Sequence, residues 1–199
     1  MGTGQIKSRQ RVSEFGEVYT AHRQVTDMLD LIPADMIGID TTYFEPACGN
    51  GNFIAEILRR KIMLIDTEDS WTFSLQLLRC VASVYGVDIQ QDNVCETVDR
   101  IAGVAEKAYI KAYHCALADG VRRAVRSIAL RNIVCGNTLT AAKENGEELA
   151  FHEWDIRDDG IIRSKEYTLS DMLQHDGVGT TPIRTHTYRW LVNSSLKTA

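Results

Sequence analysis

The chain has 199 residues, 44% hydrophobic and 25% charged, with 14 Gly, 3 Pro and a net charge of -5; this excludes a disordered, collagen-like or disulfide-scaffolded protein and leaves one globular domain of ordinary size. No apolar run approaches the ~18 residues of a membrane span, and the polar start MGTGQIKSRQR lacks the apolar core of a secretory signal, so the expectation is a cytoplasmic protein with no membrane partner. Residues 141–176 hold ten acids against four bases, which disfavours free-standing nucleic-acid binding; the basic clusters Lys7, Arg9, Arg11 and Arg122, Arg123, Arg126 read as solvated faces.

In chain order, Val25, Met28, Leu29 and Ile32 follow i, i+3, i+4, i+7 spacing and predict a helix from about Arg23 until Pro33 stops it. Tyr43 to Ala47 reads as a strand, Phe53, Ile54, Ile57 and Leu58 as the apolar face of a second helix, and Trp71 to Val81 as a third. Val84 to Ile89 is a β-rich run ending near Asp88, and Asp92 is placed to cap a helix carrying Val94, Val98 and Ile101. A further helix with Val121, Val125 and Ile128 leads into a third strand, Asn132 to Asn137. This alternation predicts an α/β fold with a mainly parallel sheet. Phe151 to Ile156 and Ile161 to Tyr167 flank the turn-like Arg157-Asp158-Asp159-Gly160 and predict a β-hairpin. Thr168 or Ser170 is then a cap for a short helix through Leu173, with Gly177 near its end. The five cysteines, Cys48, Cys80, Cys95, Cys115 and Cys135, form no CxxC pair; the expectation is no metal site and five small buried hydrophobes in a reducing compartment.

The stretch FEPACGNGNF, residues 44–53, joins the first strand to the second helix. Such a turn brings backbone close to a ligand beyond the carboxyl ends of a parallel sheet. A dinucleotide fingerprint requires Gly or Ala three residues after Gly51, where this chain has Ile54, and Glu45 would repel pyrophosphate while attracting an ammonium group. Asp88 closes the next strand, where its carboxylate can accept from ribose hydroxyls. The ligand implied has a cationic end and a ribose. A tight turn with no ligand is the plain alternative.

These residues also carry a family resemblance. FEPACGNGNF resembles the cofactor motif of adenine-specific DNA methyltransferases of restriction-modification systems, GVDIQQDNV their acidic-strand motif, and NIVCGNTL the strand ending near the adenine ring. Gly16-Glu17-Val18-Tyr19-Thr20 is similar to their N-terminal G-x-x-Y/F-T-P motif, with Ala21 in place of proline. The resemblance covers about residues 10 to 140, and four motifs in order are far more specific than any one. It implies a Rossmann-like, S-adenosylmethionine-dependent methyltransferase domain, with an N-terminal helical motif over 1–35, a cofactor-binding core over 36–140 and a hairpin with tail over 141–199. Tyr19 and Thr20 would contact the methionine end of S-adenosylmethionine and Glu45 its ammonium group. Ala47, Gly49 and Gly51, with Asn52 beside them, would line the turn. Asp88 would bind the ribose, Ile89 would pack on the adenine ring and Asn137 would hydrogen-bond it. Tyr19 as a core aromatic and Asn137 as a left-handed turn residue are the structural alternatives.

The family's catalytic Asp/Asn-Pro-Pro-Tyr/Phe motif is absent, because the only prolines are Pro33, Pro46 and Pro182. The chain therefore holds no catalytic residues of that kind, and too few residues follow Asn137 to build a target-recognition domain. The reading is the cofactor-binding subunit of a split DNA adenine methyltransferase, whose partner chain supplies the catalytic motif and DNA recognition. The strand of the glycine turn would lie at a sheet edge, to be covered by the hairpin or by another chain. The alternatives are a regulatory subunit without turnover, a small-molecule methyltransferase using His152, Glu153, Trp154 and Tyr167, and a ligand-free scaffold.

Overall fold

The computed structural model describes residues 7–15, 17–174 and 182–189. Two short helices come first, α1 (Arg9–Phe15) and α2 (His22–Leu29). Strand β1 (Tyr43–Glu45) follows, then α3 (Asn52–Ile62) and α4 (Ser70–Ala82), strand β2 (Val84–Asp88), α5 (Gln91–Tyr113), α6 (Asp119–Asn132) and strand β3 (Ile133–Cys135). The three strands form a parallel sheet in the order β1-β2-β3, with Tyr43 opposite Val84 and Gly86 opposite Ile133. Parallel neighbours require a crossover connection, and here each crossover is a pair of helices. The fold is α/β, with helices flanking a parallel sheet.

Side-chain alternation divides the core in two. Val84 and Ile133 point into the helix-packed cluster with Ile54, Leu58, Leu77, Leu78, Ile101 and Ile128, all nearly or fully buried. Tyr85, Val87 and Val134 point to the opposite face, where they meet Leu149, Phe151 and Leu169. Phe151 sits edge-on to both Phe44 and Tyr85, at centroid distances of 5.8 and 5.9 Å.

That second layer comes from β4 (Ala150–Ile156), β5 (Ile162–Thr168) and the one-and-a-half-turn helix α7 (Leu169–Gln174). The expected hairpin is present, and its turn carries Gly160 at φ 78° with the Gly160 N–H donating to Arg157 O. A strand not expected from the sequence, β6 (Arg184–Tyr188), pairs antiparallel with β5, so the described residues form three parallel and three antiparallel strands. The hairpin covers a face of the parallel sheet and leaves its edge alone: among the described residues, no strand pairs with the outer side of β1.

Several boundaries differ from expectation for local reasons. The helix predicted to run to Pro33 ends at Leu29, with Val25 and Leu29 buried but Met28 54% exposed. Strand β1 stops before Pro46, which has no N–H to continue a ladder. Asp92 lies inside the first turn of α5 instead of capping it; Gln90 holds the cap position. Thr168 does cap α7, its Oγ1 accepting from the Asp171 N–H at 3.0 Å. Gly177 lies outside the described residues. Of the cysteines, only Cys48 and Cys80 are buried, Cys135 is intermediate, and Cys95 and Cys115 are exposed, being on or just after the outer faces of helices. Among the described residues, no helix is long and apolar enough to cross a membrane.

Candidate functional site

A cleft of about 560 Å³ opens at the carboxyl ends of the three parallel strands. Its walls are the Glu17–Tyr19 segment, Pro46, Ala47 and Gly49 after β1, Asp88 to Gln90 and Asn93 at the β2–α5 junction, and Gly136 to Leu139 after β3. The volume lies in the range of small-molecule sites. Among the described residues, the charged side chains in the lining are Glu17 and Asp88, both acids.

The turn between β1 and α3 works because two glycines adopt left-handed backbone, Gly49 at φ 51° and Gly51 at φ 82°. A Cβ on Gly49 would lie 3.4 Å from the Tyr19 ring. One on Gly51 would lie 2.7 Å from Thr97 Oγ1 of α5, so Gly51 serves helix packing and is not in the cleft lining. Asp88 fastens the turn to the sheet. Its Oδ2 accepts from the Gly49 N–H at 2.9 Å, and its Oδ1 accepts from the Gln90 N–H at 2.8 Å and from Asn93 Nδ2 at 3.1 Å. A carboxylate has about four acceptor sites, so Oδ2 keeps one for a ligand hydroxyl.

Tyr19 is buried, and its hydroxyl lies 2.9 Å from Asn93 Oδ1 and 3.0 Å from Glu17 Oε1. Burial and the neighbouring Glu17 push its pKa up to about 12, so it stays a neutral donor. Burial opposes the charge of Glu17 itself, but hydrogen bonds from Asn93, Arg11 and Tyr19 outweigh that and hold its pKa below the ordinary carboxylate value. Ala21, at the motif's proline position, has φ -62°, the value at which a proline ring would fix it. Its free N–H donates to Gln24 Oε1 at 3.2 Å. Thr20 and Asn52 stand behind the cleft wall: Asn52 Nδ2 donates to the Thr20 carbonyl at 2.9 Å, and Asn52 Oδ1 accepts from Arg100 at 2.9 Å.

Asn137 Oδ1 accepts from the Leu139 N–H at 2.9 Å, while among the described residues its Nδ2 has no hydrogen bond, leaving a donor at the cleft. Asn137 has no positive φ; the left-handed residue of this loop is Ala141, at φ 53°. Thr138 Oγ1 donates to the Pro46 carbonyl at 2.7 Å and ties the loops after β1 and β3 together. Ile89 is 47% exposed and Leu139 97% exposed at the rim, both available to cover a planar ring.

Of the expected site residues, Tyr19, Ala47, Gly49, Asp88, Ile89 and Asn137 therefore share one cleft. Glu45 sits beside it without lining it; burial raises its pKa, and its Oε1 accepts from the Ala47 N–H at 3.4 Å. Sequence reasoning missed eight lining residues, among them Glu17, Val18, Asn93 and Leu139. All eight fall within the quoted motif stretches, but tertiary packing brings them to the cleft.

His152, Glu153, Trp154 and Tyr167 lie elsewhere. Glu153 and Trp154 line a second cleft of about 450 Å³ with Thr42 and Ser83, at the amino ends of β1 and β2. His152 is buried with Nδ1 2.9 Å from Ser164 Oγ, and burial lowers its pKa to about 4. Trp154 donates its indole N–H to Asn132 at 2.8 Å, and the Tyr167 hydroxyl reaches Glu153 at 3.4 Å. Four residues of the basic clusters are likewise engaged: Lys7 and Arg11 pair with Asp92, Arg122 with Glu106 and Asp119, and Arg126 with Asp99. Among the described residues, no three His, Cys, Asp or Glu side chains converge as a metal site requires.

Compared with known proteins, the chain matches no family model, no curated protein and no solved structure.

Proposed function

We propose that the chain binds S-adenosylmethionine in the cleft at the carboxyl ends of β1, β2 and β3, and that it is the cofactor-binding subunit of a split DNA adenine methyltransferase. The observation that carries this reading is the cleft itself: residues from all four motifs meet there, and its charged lining is acidic. Two acids and no base oppose a pyrophosphate and suit a cationic ligand with a ribose. Asp88 would accept from a ribose hydroxyl, Asn137 Nδ2 would donate to a ring nitrogen of adenine, and Ile89 with Leu139 would cover the ring. Tyr19 and the Ala47–Gly49 turn would flank the methionine end, with Glu45 near its ammonium group. Bound there, the cofactor would supply the methyl group.

The acceptor half is assigned to a partner chain. Holding a flipped adenine requires stacking and hydrogen-bond acceptors at its amine, and the residues weighed for that work, His152, Glu153, Trp154 and Tyr167, stand away from the cleft or inside the core. A partner strand added along β1 would bring an Asp/Asn-Pro-Pro-Tyr/Phe loop to the carboxyl end of the sheet, beside the cleft, and the partner would carry the DNA-binding surface. Calorimetry with S-adenosylmethionine tests the first half of this reading. Wild-type chain should bind it, and absence of binding would remove the methyltransferase assignment.

A further inference from the structure

Asn93, in the first turn of α5, is 1% exposed and uses its whole amide. Nδ2 donates to Glu17 Oε1 at 2.6 Å and to Asp88 Oδ1 at 3.1 Å. Oδ1 accepts from Lys7 Nζ at 2.8 Å and shares the single proton of the Tyr19 hydroxyl, 2.9 Å away, with Glu17 Oε1 at 3.0 Å. The amide has two donors and two lone pairs, so none is left for a ligand. Its orientation is set chemically: the nitrogen faces two carboxylates, and the oxygen faces an ammonium and a phenol.

This arrangement places one side chain between the two acids of the cleft. Without its N–H groups, Glu17 would keep Arg11 and Asp88 would keep the Gly49 and Gln90 N–H groups, but the donor that bridges the two carboxylates would be gone, and like charges repel. Asp88 would then turn away from Glu17, carrying its remaining acceptor site with it. Asn93 also clamps Tyr19, the side chain that lies against Gly49. The segment bearing Tyr19 is further held by Arg11, which pairs with Glu17 and with Asp92.

We infer that Asn93 is a positioning residue for the adenosyl ligand: it acts on the ribose through Asp88 and on the methionine end through Tyr19, without touching the ligand. The inference rests on the adenosyl reading of the cleft.

The test is a double-mutant cycle read by calorimetry, with the full chain and S-adenosylhomocysteine as probe. Asn93→Ala and Asp88→Ala should each weaken binding about tenfold or more, the usual scale for a hydrogen bond involving a charged group. The double variant should lose clearly less than the product of the two single losses, because without Asp88 Asn93 has nothing left to position at the ribose and keeps only its hold on Tyr19. Losses that multiply would overturn the role and leave the adenosyl reading standing. Failure of wild type to bind the probe would overturn both. Thermal unfolding of each variant reports whether it folds. If Asn93→Ala does not, Tyr19→Phe removes one clamp with little change in shape: a loss of about threefold supports the role, and wild-type affinity overturns it.

Discussion

Asp88 satisfies three protein donors before any ligand arrives, so its removal affects both turn and site. Asp88→Ala should weaken S-adenosylmethionine binding by about 1–3 kcal/mol, the cost of a lost charge-assisted hydrogen bond. Calorimetry checks this, and unchanged affinity would remove the ribose assignment. Gly51 makes a different case. Gly51→Ala should cost about 1–3 kcal/mol of stability, measured as a shift in the urea midpoint, because the new methyl meets Thr97 and the backbone is left-handed. Affinity per folded molecule should change little. The glycine spacing was legible in the sequence, but it could not separate the glycine that faces the cleft from the one that faces a helix. That distinction depends on α5, whose Thr97 lies 46 positions away.

At the level of elements, the parallel unit was legible because its strands are apolar runs and its helices have clear 3.6-residue periodicity. Strand β6 was not, because RTHTY has no apolar alternation; its pairing is specified by β5 and by ring contacts of His186 and Tyr188 with His152 and Trp154. Lys61 was equally hidden. It follows two arginines near the end of α3 yet is fully buried, with Nζ donating to the Thr41 carbonyl at 2.5 Å and to Ser83 Oγ, over the Tyr43 ring. Burial lowers its pKa from 10.5 to about 8. Between those values the unfolded chain holds one proton more than the native protein, so this group makes stability rise with pH from about 8 to 10.5 and fall as pH drops back through that window. Chemical denaturation of wild type and Lys61→Met across this range should show the rise shrinking in the variant. An equal slope in both would mean that Lys61 does not titrate there.

For the whole molecule, the proposed division of labour predicts activity only in company. Tritium transfer to DNA should be absent with this chain alone and present when a chain bearing the Asp/Asn-Pro-Pro-Tyr/Phe motif is added. Phe44, 42% exposed on β1, should mark the junction: Phe44→Lys should weaken assembly, measured by sedimentation, while leaving cofactor affinity intact. NAD at micromolar concentration should not compete for the cleft, since Ile54 is buried where a dinucleotide site needs a small residue. The two-sided sheet has a further consequence, for synthesis on the ribosome. Strands β1 to β3 are complete at residue 135, whereas the residues that shield Tyr85, Val87 and Val134 are Leu149, Phe151 and Leu169. A nascent chain therefore presents one naked apolar sheet face for the next ~30 residues, which at ~5–20 residues per second lasts a few seconds. During that interval the exposed face is a natural chaperone substrate, and a chain that terminates before residue 149 would retain it permanently.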